Sequence, residues 1–231
     1  MMRLRKCTAE AFANDKFRLS DQLMRQSDNH RPKTDGQLRN SLLFMGKFFK
    51  HGRKIGSVWP SSKSLSLATL NQVDWQQAKI IVELGAGTGP ITSAIIDRLQ
   101  PHTTLLAIER DHDFARVLQK RFAEHTNVEI IHGDVREIDS ILKARKIENV
   151  DYFISGLATP SLPLGVQKRM FVAVRKYLAP HGVFSNITEV PLWYRRYYKG
   201  LFTNVKFQFV PINIPPGGVY HCRKIRGKSR V

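Results

Sequence analysis

Three glycines at alternate positions, Gly85, Gly87 and Gly89, follow directly on the apolar run Ile80-Ile81-Val82 and the acid Glu83. Glycine at this density lets the chain turn sharply and lets a ligand approach the backbone itself. Position 90, where a dinucleotide-binding loop wants its third glycine, holds Pro90, which disfavours tight pyrophosphate docking. No Lys-Ser/Thr follows at the distance a P-loop requires. What remains is a loop, with Ala86 and Thr88 between its glycines, of the kind that seats the amino-acid part of S-adenosylmethionine and has no phosphate to cradle. Glu109 stands 20 residues past Gly89, where a carboxylate accepts both ribose hydroxyl protons. Asp134, in His132-Gly133-Asp134-Val135, is placed to accept from the adenine amino group, and Glu83 orients the loop or meets the cofactor ammonium. Arg110, Gly133 and Val135 flank these acids and, with Ser155 at the end of a further apolar run, complete the expected cofactor site.

The elements that must position these residues alternate. Strands are expected at Ile80–Val82, Leu105–Ile108, Val128–Ile131, Tyr152–Ile154 and Val183–Thr188, with helices over about 90–99, 111–124 and 163–178 between them. A closing pair of strands is expected near Val205–Val210 and Val219–Arg223, around Pro215-Pro216-Gly217-Gly218. Strands separated by helices of this length imply an α/β, Rossmann-like fold: a mostly parallel sheet with helices on both faces. Upstream, the organisation expected is a polar lead-in over 1–36, a basic amphipathic helix and cap region over 37–72, including a short helix from about Lys63 to Leu70, and the sheet domain over 73–231.

Charge is unevenly distributed. The chain carries 37 Lys and Arg against 19 Asp and Glu, a formal net charge of +18. Residues 1–79 hold 15 basic and 6 acidic side chains, residues 80–154 hold 9 and 12, and residues 155–231 hold 13 and 1. A mildly acidic centre between two basic flanks suits a protein that presents basic surface to phosphate groups, of lipid or nucleic acid, while its middle does something else. Hydrophobic residues at 42% exclude disorder of the whole chain. The two cysteines, Cys7 and Cys222, and the eight histidines form no ligand spacing, so no metal is expected. No apolar run approaches the ~18–20 residues of a spanning helix, and no apolar signal core is evident.

Val82-Glu83-Leu84-Gly85-Ala86-Gly87-Thr88-Gly89, Ile108-Glu109-Arg110-Asp111 and Gly133-Asp134 resemble the successive motifs of class I methyltransferases. The likeness is greatest to the branch that holds ribosomal RNA adenine dimethyltransferases and bacterial phospholipid N-methyltransferases. That resemblance implies a seven-stranded sheet with its last strand antiparallel. The RNA enzymes carry Asn-(Leu/Ile)-Pro-(Tyr/Phe) after the fourth strand to hold the flipped base, whereas this chain has Ser155-Gly156-Leu157-Ala158. Ser-Gly-Leu resembles the phospholipid branch, as do Ile55-Gly56-Ser57-Val58-Trp59-Pro60-Ser61-Ser62 and Asn213-Ile214-Pro215-Pro216. One departure is Thr188-Glu189, where that branch often has Thr-Tyr.

The resemblance implies methyl transfer to the amine of a phosphatidylethanolamine-like lipid, in one or successive rounds; the alternatives are an RNA adenine methyltransferase and a methyltransferase of another aminolipid such as ornithine lipid. Ser155, Gly156 and Leu157 are the expected acceptor-side residues. Glu189, the sole acid between Tyr152 and Val231, is the candidate to attract the lipid ammonium or take its proton. Tyr194, Tyr197 and Tyr198 either surround a methylated ammonium by cation–π contact or pack in the core, and their helical spacing favours packing. The expected partner is an anionic membrane surface, with RNA the rival. Leu42, Met45, Phe48 and Phe49 would enter the acyl boundary while Lys47, Lys50, Arg53 and Lys54 meet lipid phosphate. The location that follows is cytoplasmic, peripheral to the inner face of the membrane.

Overall fold

The computed structural model describes residues 60–188, 194–212 and 216–225. The expected amphipathic helix over 37–54, Glu189 and Asn213-Ile214-Pro215 lie outside the described residues. In chain order the elements are α1 (Pro60–Thr69), β1 (Ile80–Leu84), α2 (Pro90–Ile96), β2 (Thr104–Glu109), α3 (His112–Arg121), β3 (Val128–His132), a 3-10 turn (Val135–Glu137), α4 (Ile138–Ala144), β4 (Val150–Ser155), a 3-10 turn (Thr159–Ser161), α5 (Leu164–Tyr177), β5 (Leu178–Thr188), α6 (Arg195–Leu201), β6 (Phe202–Val210) and β7 (Gly217–Ile225).

The seven strands form one sheet in the order β3-β2-β1-β4-β5-β7-β6. The first five run parallel, and β7 lies antiparallel to both β5 and β6. This is the Rossmann-like arrangement expected, with its last strand reversed. β1 and β4 are buried on both faces, which is why each holds a continuous apolar run, Ile80–Val82 and Tyr152–Ile154. Chain direction along the sheet reverses its order between β1 and β4, and the crevice outside their carboxyl ends is where open α/β sheets bind ligands.

One face is covered by α4, α5 and α6 and holds an aromatic cluster in which Phe171, Phe184, Phe202, Tyr198 and Tyr220 are all buried. Their ring centroids lie 4.8–6.4 Å apart, within aromatic contact range. The opposite face packs Ile81, Leu105, Tyr152, Ile154 and Val183 beneath Ile91 and Ile95 of α2. On this side α1 sets Leu65 and Ala68 against Val210 and Val219.

Helix boundaries follow their caps. Asp111 accepts from the N–H groups of Asp113 and Phe114 at 2.9 and 3.0 Å and so starts α3 one residue later than the apolar pattern suggests. Three elements depart from expectation. α4 and α6 have no counterpart among the expected elements, because each is only seven residues long and α6 buries Tyr198 alone. β5 begins at Leu178 rather than Val183: Pro180-His181-Gly182 reads as a turn, yet the strand pairs Leu178 with Val150 and absorbs these residues at a register shift.

Candidate active site

The glycine loop leaves β1 with Gly85, Gly87 and Gly89 at φ of +76°, +56° and +86°, left-handed values that a side chain would resist. Its fold is fixed by β2. The N–H groups of Gly85 and Ala86 donate to the Ile108 carbonyl at 2.9 and 3.3 Å, and the Gly87 N–H donates to Glu109 Oε2 at 2.7 Å. The other Glu109 oxygen accepts from the Asp111 N–H at 2.7 Å. Glu109 therefore braces the loop through Oε2 and its own following turn through Oε1, and keeps the remaining lone pairs for a ligand. Ala86 is buried against Ala107, Leu118, Phe122 and Ile130, while Thr88 is exposed at the turn.

Glu83 is fully buried one residue before the loop. Its Oε2 accepts from the Thr92 hydroxyl at 2.7 Å, and its Oε1 has no partner. Burial, with the nearby Glu109 charge, outweighs the Thr92 hydrogen bond and pushes its pKa up to about 8. A buried carboxyl oxygen with no donor is costly. A cationic ligand group brought to it would supply that donor.

Asp134 is drawn elsewhere. Its carboxylate caps the turn at Val135–Glu137 and is held by Arg136, whose Nε and Nη2 donate at 2.9 Å each. Burial opposes ionisation of Asp134, but these bonds and the Arg136 and Arg110 charges prevail and hold its pKa below the usual range. Arg110 is exposed beside His132, Gly133 donates to the Glu109 carbonyl at 3.0 Å, and Val135 packs on the core.

The segment after β4 lies directly on the glycine loop. The Gly156 N–H donates to the Leu84 carbonyl at 3.1 Å, and a Cβ on Gly156 would stand 3.0 Å from the Gly85 carbonyl. Leu157 leans over Gly85, where a Cβ would meet its Cδ2 at 2.3 Å. Ser155 is fully buried, and its hydroxyl accepts from the Leu157 N–H at 3.3 Å, so it shapes the turn rather than facing a reactant. Gly156 is the exposed member of the three.

Two residues that motif reading passed over hold this turn in place. Asn186, buried on β5 opposite Ser155, donates from Nδ2 to the Leu157 carbonyl at 3.0 Å and accepts from the Thr159 hydroxyl. The Thr159 N–H reaches the same Leu157 carbonyl at 2.7 Å. Neither carries a sequence signal, because both act through contacts between β4 and β5. Of the tyrosines, Tyr198 is buried in the aromatic cluster and Tyr197 donates to Gln167 Oε1 at 2.6 Å, so both serve packing. Among the described residues, no group of three or more His, Cys, Asp or Glu side chains could hold a metal ion, and no helix is long and apolar enough to cross a membrane.

A parallel sheet reversed at β7, with a left-handed glycine loop at its switch point and acids closing β1 and β2, defines an S-adenosylmethionine-dependent methyltransferase. Solved structures agree on the fold. Burkholderia thailandensis 1,6-didemethyltoxoflavin-N1-methyltransferase, with S-adenosylhomocysteine bound, superposes with a TM-score of 0.58 at 16% identity, covering 83% of this chain and 88% of that one. Aeropyrum pernix fibrillarin, with S-adenosyl-L-methionine bound, gives 0.55 at 16% identity, covering 70% and 76%. The family model for ribosomal RNA adenine dimethylase matches residues 50–164. The ornithine lipid N-methyltransferase of Singulisphaera acidiphila is 47% identical over 82% of this chain and 98% of its own length. Ribosomal RNA small subunit methyltransferase A of a Synechococcus species is 30% identical over 43% of this chain and 37% of its own length. The chain belongs to the family of the Singulisphaera enzyme, the S-adenosylmethionine-dependent methyltransferases, to which it is related along nearly that enzyme's whole length.

The residues present fit the cofactor. Glu83 offers a buried oxygen in want of a donor to the cofactor's ammonium, the loop from Gly85 to Gly89 exposes backbone to its amino-acid part, and Glu109 has acceptor capacity for its ribose. Asp134 remains the acceptor candidate for adenine, although Arg136 already claims both its oxygens.

Proposed function

We propose that the protein transfers methyl groups to the amine of an aminolipid, with the primary amine of an ornithine lipid as the leading acceptor, at the cytoplasmic face of a membrane. The observation that carries this reading is the 47% identity to an ornithine lipid N-methyltransferase across 98% of that enzyme. Ser155-Gly156-Leu157 supports it. The turn offers neither the amide nor the aromatic ring that an RNA adenine acceptor needs, and it sets the exposed Gly156 beside Gly85.

Bound S-adenosylmethionine supplies an electrophilic methyl on a sulfonium. The chain's task is to bring a nitrogen lone pair in line behind that methyl and to remove the ammonium proton first. Glycine at 156 lets its turn close on the glycine loop, since a Cβ would stand 3.0 Å from the Gly85 carbonyl, and presents bare backbone to the acceptor. Asn186 and Thr159 keep the turn from drifting, since an error of about 1 Å costs in-line attack on the order of 10²-fold. Glu189, the next residue after β5, is the acid nearest in sequence to that turn's supports and the candidate proton acceptor.

The test is methyl-labelled cofactor with vesicles containing ornithine lipid, vesicles containing phosphatidylethanolamine, or total RNA. Label in ornithine lipid is the expected result. Label in phosphatidylethanolamine alone would move the headgroup to a phospholipid, and label in RNA alone would refute the aminolipid reading.

A further inference from the structure

The β6–β7 hairpin ends at the same edge of the sheet as the candidate active site, because Thr188 pairs with Gly218 and Ser155 with Asn186. Along β6, Val205 and Phe207 point to the aromatic face, and the Phe207 ring lies 4.9 Å from that of Tyr220. Phe209 continues this stripe but is 53% exposed. The cause is its cross-strand partner, Gly218, which offers nothing to pack against. Gly218 is itself required, since a Cβ there would stand 2.3 Å from the Phe207 ring. In the turn beyond, Ile212 is 70% exposed. From Phe207 to Tyr220 the chain carries no charged residue.

Cations open the helix that packs on this hairpin. Tyr194, just before α6, places its hydroxyl 3.5 Å from Ser161 Oγ in the turn that follows the Ser-Gly-Leu segment. The next two residues, Arg195 and Arg196, are exposed, and the Arg195 charge reaches the Tyr220 hydroxyl beside Phe207. After Glu189 the sequence has nine Lys and Arg and no acid. A second copy of the chain would bring like charges together on this surface. RNA would have a ring to stack on at Phe209 but none at Ile212, and no cation between Phe207 and Tyr220. Exposed apolar side chains on a hairpin, with exposed arginines on the helix packed against it, suit a bilayer interface, acyl chains within and phosphates at the rim.

We propose that the β6–β7 hairpin and the first turn of α6 form a docking surface for an anionic lipid bilayer, with Phe209 and Ile212 entering the acyl boundary and Arg195 and Arg196 meeting lipid phosphate. The surface rests on the aminolipid reading for its purpose and goes beyond it in placing the membrane contact next to the acceptor turn. It delivers the lipid headgroup to Gly156 without requiring the lipid to leave the bilayer.

The test is sedimentation of the full chain with vesicles of phosphatidylcholine and phosphatidylglycerol. Phe209→Glu with Ile212→Glu should lower the partition coefficient at least about tenfold, with S-adenosylhomocysteine affinity unchanged and methyl transfer to detergent-dispersed aminolipid retained. Arg195→Glu with Arg196→Glu should weaken binding and flatten its salt dependence. As a measurement independent of these substitutions, Ile212→Cys in a Cys7→Ser background, carrying a polarity-sensitive dye, should shift to the blue on vesicles. Unchanged partitioning of the Phe209/Ile212 variant or a dye that does not shift overturns the proposal. So does RNA binding that the same substitutions abolish while vesicles are ignored. Vesicle docking that depends on this surface without label in any aminolipid would uphold the docking surface and refute the acceptor.

Discussion

Gly85→Ala should destabilise the protein for two separable reasons, and Leu157 distinguishes them. Gly85 sits at φ +76°, where a Cβ costs about 1–2 kcal/mol. The same Cβ would lie 2.3 Å from Leu157 Cδ2 and 2.8 Å from Leu157 Cγ, an overpacking worth about 1–3 kcal/mol. Together these give about 2–5 kcal/mol for the single substitution. Leu157→Ala removes both clashing atoms, at a cost of its own that falls below that of a fully buried leucine because Leu157 is half-buried. In that background Gly85→Ala should cost only the backbone part, so the double-mutant cycle should return a coupling of about 1–3 kcal/mol. Urea denaturation of the four proteins without cofactor measures it, with S-adenosylhomocysteine binding followed in parallel. Equal cost of Gly85→Ala in both backgrounds would refute the packing of the Ser-Gly-Leu turn on the glycine loop, and with it the placement of the acceptor beside the cofactor.

Glu83, with its pKa pushed up to about 8, holds a proton at neutral pH in the free protein, and a cationic amine favours its loss; S-adenosylhomocysteine affinity should rise as pH passes through about 8 and be flat in Glu83→Gln, and a flat native profile would remove Glu83 from the ammonium site. Asn186→Leu strips the Leu157 carbonyl of one donor and the Thr159 hydroxyl of its acceptor, so stability should fall by about 1–3 kcal/mol and kcat should drop more than cofactor affinity; equal losses in both would make Asn186 a fold residue only. His221 is buried between Ser185 and Gln208, and burial, helped by the Arg223 and Lys206 charges, pushes its pKa down to about 4. The unfolded chain then binds this proton first, so stability is full above about pH 6.5 and falls as pH drops toward 4. His221→Gln should flatten that stretch of the stability curve, and an unchanged acid slope would mean that other groups set it.

Legibility varied with how local each cause was. β1 and β4 were plain because strands buried on both faces are mostly apolar, as Ile80-Ile81-Val82 and Tyr152-Phe153-Ile154 are, and the glycine loop was plain because left-handed turns favour glycine. α6 was missed because Arg195-Arg196-Tyr197-Tyr198-Lys199 shows one buried side chain in two turns, too few to make a period. β5 was cut short because Pro180 and Gly182 carry turn chemistry that pairing with β4 overrides. Within the site, Ser155 was expected among the acceptor-side residues and instead turns its hydroxyl inward to the Leu157 N–H. Asp134 was expected to accept from adenine, and its oxygens also hold Arg136, two residues away, through a pairing the spacing allowed but did not require.

The amino-acid sequence by itself determined the class of sheet, the glycine loop and the acids that close β1 and β2, since each of these is written in a run or a spacing within one βα unit. Tertiary structure alone decided that Gly156 and Leu157 lie on Gly85, that Asn186 fastens their turn, and that Phe209 faces a glycine and is left exposed. Those meetings depend on strand order and register, which set which distant side chains become neighbours, and no local pattern in the chain encodes them.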